Sequence, residues 1–262
     1  TIRARTYSPL KRSMPSEHNH PGDRNGLSEL RESPRTLRGV LAAATTVAVA
    51  LAGLLLLSRL DYVFFHSAVE LFATAVAWGL FLLVWSSRGF LGSDALTFLG
   101  ISYFFVGLLG LVHTLAYKGT GLFPAETAGD VATQLWIAAR YLEASSLLLF
   151  PWLLDRRARP DVVLAACTAA TGLLLASILS WRVFPTCYLE GEGLTPFKIV
   201  SEYVICAILG AALLSLLHRH RKLDPSVCQL LSLAIGLAIV LRLFHSSFEL
   251  NWPLRFHPAP AK

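Results

Sequence analysis

Residues 95–124 read ALTFLGISYFFVGLLGLVHTLAYKGTGLFP. An apolar run of about 20 residues, enough to cross a bilayer core at ~1.5 Å per residue, gives way to a loop. At the junction His113, Tyr117, Lys118 and two glycines stand together. Runs of this kind recur along the chain and decide the fold class. Reading outward gives spans at 37–60, 63–86, 95–117, 132–154, 161–183, 197–217 and 226–246. The expectation is an all-α polytopic transmembrane helix bundle of about seven spans. Its breakers lie where helices should begin: Ser93-Asp94 before the third, Pro160 before the fifth, Pro196 before the sixth and Pro225 before the seventh.

Composition agrees. Of 262 residues, 54% are hydrophobic and 15% charged, with mean hydropathy +0.55. A soluble domain carries about 25% charged residues. Residues 1–36 are polar and rich in Pro, Ser and Arg, which predicts a disordered basic tail. Met14 is the single methionine, so residues 1–13 are non-native if translation starts there. The first apolar run is long enough to span and lacks a cleavage site, which argues against a signal peptide. Cys167, Cys187, Cys206 and Cys228 form no CxxC pattern and read as small buried residues.

Orientation follows from Lys and Arg. The tail, Arg88, Arg156, Arg157 and Arg159 in DRRARP, and Arg219, Arg221 and Lys222 in HRHRKLDP share one side and hold most of the 23 basic residues. That side is expected to be cytoplasmic, with the N-terminus, in a multi-pass inner-membrane protein. HTLAYKGTGLFP and the C-terminus then face the exterior.

Ionisable groups within spans usually face the bundle interior. His66 and Glu70 stand at i, i+4 on one helix face, with Glu70 ~12 Å into its span. His113 lies one turn from the end of the third span. Gln134, Arg140 and Glu143 occupy the fourth, Lys198 and Glu202 the sixth, Arg242 and His245 the seventh. All fall in or near the outer halves, whereas the inner halves carry stretches such as GLFLLV and SSLLLFPWLL. Polar groups at similar depth on five helices predict an outward-opening polar cavity. The dull readings are a structural Arg140–Glu143 pair, interfacial histidines, tryptophans of the aromatic belt, and packing at Gly107, Gly110, Gly172, Gly210 and Gly236.

Three segments carry a resemblance: HSAVELFATAVAWGLFLLVW (66–85), LGISYFFVGLLGLVHTLAYKGTGLF (99–123) and ATQLWIAARYLEASSLLL (132–149), with a weaker match at SEY…DP. They resemble the bacterial membrane-associated sensor domains of the third MASE type, over about residues 37–250. The resemblance implies a signal-input module without its own catalysis, joined in full-length relatives to histidine kinase, diguanylate cyclase or phosphodiesterase domains and acting there as a homodimer. It places the candidate ligand-sensing residues at His66, Glu70, His113, Lys118, Gln134, Arg140 and Glu143; depth in the bundle adds Glu202 and Arg242. It also implies a further membrane segment, in place of which stands NWPLRFHPAPAK, so residues 251–262 are expected to form an aberrant exterior tail on a shortened chain.

The expected partners are the lipid bilayer and a small polar or zwitterionic ligand, unidentified, with no nucleic acid. No cofactor is assigned. The alternative is a metal- or haem-binding membrane protein using His66, Glu70, His113 and His245. An enzyme or transporter is disfavoured, because the chain has no HExxH, no nucleophile motif and no inverted repeat.

Overall fold

Asp61, Ser93, Thr195 and Asp224 each precede a helix and accept from one of its first amide groups. In a computed structural model describing residues 34–117 and 120–256, α1 spans Pro34–Leu60 and α2 Tyr62–Leu91. Asp61 between them accepts from the Phe64 amide at 3.0 Å. Gly92 ends α2 at φ 59°, the left-handed conformation that glycine adopts without penalty. Ser93 then caps α3, Asp94–Ala116. α4 runs Ala125–Leu153, and α5 runs Pro160–Leu175 and continues as a π-helical turn through Ser180. A two-stranded antiparallel hairpin, β1 (Tyr188–Leu189) and β2 (Gly193–Leu194), leads into α6, Pro196–His218. A short 3-10 turn at His220–Lys222 precedes α7, Pro225–Phe256.

The helix starts at Asp94, Pro160, Pro196 and Pro225 lie where the breakers place them. Two boundaries differ. α4 begins before residue 132, because its first turns carry Glu126 and Asp130 and escape a hydropathy reading. α7 continues through residues 251–256, which the sequence reading placed in a tail. Lys118 lies outside the described residues, as do the side chain of His245 and most of the two termini.

The chain divides into two units at Leu54/Leu55. In the first, the described side chains of α1 are exposed. In the second, neighbours pack in the order α2–α3–α4–α6–α7, with α5 also against α3. Among the described residues, six helices are long and apolar enough to cross a membrane: α1, α2, α3, α5, α6 and α7. α4, with 29 residues, is long enough at ~43 Å but less apolar. It is the central helix. Leu135, Ala138 and Ala139 pack with Leu109 of α3, while Ile137, Ala144, Leu147 and Phe150 pack with Ile205, Leu209, Ala212 and Leu216 of α6. Its polar residues are therefore shielded by its neighbours.

Between α2 and α3 the backbones approach at glycine. A Cβ on Gly100 would lie 2.9 Å from Val84, and one on Gly107 would lie 2.9 Å from the Trp78 indole nitrogen. Trp78 Nε1 donates to the Phe104 carbonyl at 3.1 Å. Small residues that let helices meet are the usual packing device in lipid. Gly172, Gly210 and Gly236 face open space instead, so the packing role expected for them holds at Gly107 but not there. At the basic end, Asp155 accepts from Lys222 at 2.5 Å and Arg219 at 2.6 Å. The Lys222 hydrogen bond, then the cationic charges, hold its carboxyl below the ordinary range.

Overpacking a close-packed contact costs about 1–3 kcal/mol. Gly107→Leu is expected to lower the midpoint of thermal unfolding in detergent accordingly, and Gly172→Ala to leave it unchanged or slightly raised. Equal loss in both variants would show that the α2–α3 contact carries no special share of stability.

Candidate polar cavity

α2, α3, α4, α6 and α7 enclose a cavity of about 570 Å³ at the bundle end bearing the α3–α4 loop. Its lining combines His66 and Glu70 of α2, His113 of α3, Arg140 and Glu143 of α4, Lys198 of α6 and Arg242 of α7. Tyr62, Tyr117, Thr133, Trp136, Leu194, Ala238 and Leu241 complete it. The convergence follows from helix geometry. His66 and Glu70 are one turn apart, as are Arg140 and Glu143, so each helix presents a pair to one side.

The inner wall is charged. Glu143 Oε2 accepts from Arg140 Nη1 at 3.0 Å and from Arg242 Nη2 at 2.8 Å. One carboxylate thus joins two guanidiniums, one on its own helix and one from α7. Arg242 Nη1 also donates to the Ala238 carbonyl at 3.2 Å. Arg140 lies 5.4 Å and Lys198 Nζ 5.7 Å from the Trp136 ring centre, within the range of attraction between a cation and an indole face. Lys198 pairs with Glu202, one turn on, at 3.1 Å. The Nε atoms of Arg140 and Arg242 are buried without a hydrogen-bond partner among the described residues.

The mouth is aromatic and imidazole-rich. The His66 ring lies 4.1 Å from that of Tyr117 and 5.5 Å, edge-on, from that of His113. His113 is 5% exposed, and its Nδ1 lies 2.7 Å from the Ala132 carbonyl. A carbonyl only accepts, so Nδ1 carries the proton and Nε2 the lone pair.

Of the candidates named from sequence, the fold brings together His66, Glu70, His113, Arg140, Glu143 and Arg242. Glu202 is buried one turn behind Lys198 and is not part of the lining. Gln134 is committed elsewhere. Its Nε2 donates to Asp130 Oδ2 at 3.0 Å and reaches the Phe184 and Pro185 carbonyls at 3.4 and 3.3 Å. Asp130 Oδ1 in turn accepts from the Cys187 and Tyr188 amides at 2.7 and 2.9 Å. Together the two side chains latch the α5–α6 loop onto α4. The sequence placed Lys198 among the polar groups of the cavity, though not among the candidate ligand-sensing residues, and Trp136 in the aromatic belt. The signal available for Trp136 was its helical phase, one turn before Arg140 on the same face.

Burial, then the adjacent Asp130 charge, pushes the Cys187 thiol up to about 12, so it stays protonated near neutrality. Asp130→Ala leaves two backbone amides unpaired, a loss of about 1–3 kcal/mol. The loop is expected to open and Cys187 to react with maleimide at pH 8, where the unaltered protein does not label at this position. Labelling at the same rate in both proteins would exclude the latch.

A family model described as a membrane-associated sensor domain, MASE3, matches residues 57–249. No curated protein and no solved structure matches the chain.

Proposed function

The chain belongs to the MASE3 family of membrane-associated sensor domains, and from that premise we propose that the cavity is where the signal is perceived. The observation that carries this reading is Glu143, shared by Arg140 and Arg242 in the cavity wall. α7 packs chiefly on α6, and the Arg242–Glu143 pair ties it across to α4. A small ligand with a carboxylate or another anionic group competes with Glu143 for the guanidiniums, while its cationic or polar part meets Glu70 and the histidines. Occupancy then loosens or re-forms the tether of α7. Ligand binding shifts helix packing only through differential affinity for two arrangements, and couplings of about 1–3 kcal/mol are ordinary for such sites.

On this reading the molecule is an input module of the inner membrane, with the cavity open to the exterior. In full-length relatives the output it regulates is an attached cytoplasmic histidine kinase or cyclic-di-GMP enzyme. The lining supports a zwitterionic or anionic ligand, since Arg140, Lys198 and Arg242 share it with Glu70 and Glu143.

The test screens amino acids and small dicarboxylates, as probes, against thermal unfolding of the protein in lipid nanodiscs. A probe at 100 times its Kd is expected to stabilise by about 2.7 kcal/mol. Arg140→Gln and Arg242→Gln are expected to insert normally and lose that shift. If both variants keep the full shift, the ligand does not bind in this cavity.

A further inference from the structure

We propose that His66, Glu70 and His113 form a binding site for a divalent first-row transition-metal ion, zinc being the best match, at the mouth of the cavity. The inference rests on the cavity described as the sensing site and adds a resident ion to it. The donor atoms of the three side chains all lie within 4.8 Å of one another. Zinc binds imidazole nitrogen at about 2.0–2.1 Å and carboxylate oxygen at about 2.0–2.2 Å. Donors sharing one ion therefore stand about 3.3 Å apart, and small side-chain rotations close the set.

Two further observations point to a ligand rather than to a packed cluster. His113 Nδ1–H donates to the Ala132 carbonyl, the arrangement that fixes the tautomer of a metal-binding histidine. The Nε2 lone pair it leaves is buried and has no hydrogen-bond partner among the described residues. The Nε2 of His66 is likewise buried and unmatched, with its ring held against Tyr117. Two inward-facing nitrogens and a carboxylate one helical turn from His66 make a donor set of borderline hardness. Such a set suits zinc, iron or cobalt better than calcium or magnesium, which take oxygen ligands. Three protein donors leave a coordination position for water or for an anionic group of a ligand in the cavity. With the metal in place, an anionic or neutral donor group of the ligand, in place of a cationic one, meets the mouth, while the guanidiniums of the inner wall hold its other end.

The experiment uses the full chain without a histidine tag, in nanodiscs, stripped with a chelator and titrated with zinc and with cobalt(II) as a visible-absorption probe. Expected are one ion per chain, cobalt d–d bands, and a loss of affinity of about 10-fold or more in His66→Gln and in His113→Gln. His66→Gln, at the half-exposed end of the cluster, keeps the test informative if His113→Gln fails to fold. Absence of stoichiometric metal in the unaltered protein overturns the proposal, as does unchanged affinity in a folded variant. The amino-acid and dicarboxylate thermal shift, run with and without zinc, separates the two ideas. A shift without zinc binding overturns the metal site alone, and zinc binding with Arg242-independent shifts overturns the sensing reading alone.

Discussion

The carboxylate of Glu143 sits between two guanidiniums inside a membrane bundle, and much of the architecture follows from that constraint. A lone ionised side chain at the bilayer centre costs at least about 2.5–3.5 kcal/mol, and removing one partner of a buried pair leaves the other uncompensated. The group is tolerable only if α4 and α7 both turn their charges inward and the helices around them exclude lipid. Hence the least apolar helix is the central one, with α3 on one side and α6 on the other. The three groups carry a net positive charge.

Two kinds of packing divide the bundle. Away from the cavity, contacts are dry and steric: Val84 against Gly100, Trp78 against Gly107, and the leucine and isoleucine layers between α4 and α6. Around the cavity the helices are held by polar pairs instead, and the space between them stays open. The α5–α6 loop belongs to this second region. Asp130 and Gln134 hold its amides and carbonyls, so that Leu194 at the end of the hairpin reaches the cavity rim.

Helix number and most starting points were legible in the sequence because hydropathy and caps are local properties; the start of α4, polar and without a capping side chain, was not. The inward-facing charges were legible as well, since a bilayer leaves Arg140, Glu143 and Arg242 few places to go. Partner choice was not. Arg242 reaches Glu143 rather than Glu70, and Gln134 serves a loop 50 residues away; both depend on how helices distant in sequence are set side by side. Trp136 was hidden for a related reason: a tryptophan has an ordinary role at a membrane surface, and only the packing of α4 against α6 brings its ring near the Lys198 ammonium. The three glycines assigned to packing but facing open space show that composition indicates where close approach is permitted, not where it occurs.

The central position of α4 also bears on how such a chain is made. Arg140 and Glu143 each weigh against partitioning of an isolated helix into lipid, whereas α3 before it partitions readily. The Glu143–Arg140 pair forms within α4, but its third member arrives with α7, nearly 100 residues later. Until then α4 depends on α3 for shelter, and one guanidinium alone balances the carboxylate. The ion-pair set of Glu143 is therefore complete only when the last helix is in place, three helices after the one that carries the carboxylate.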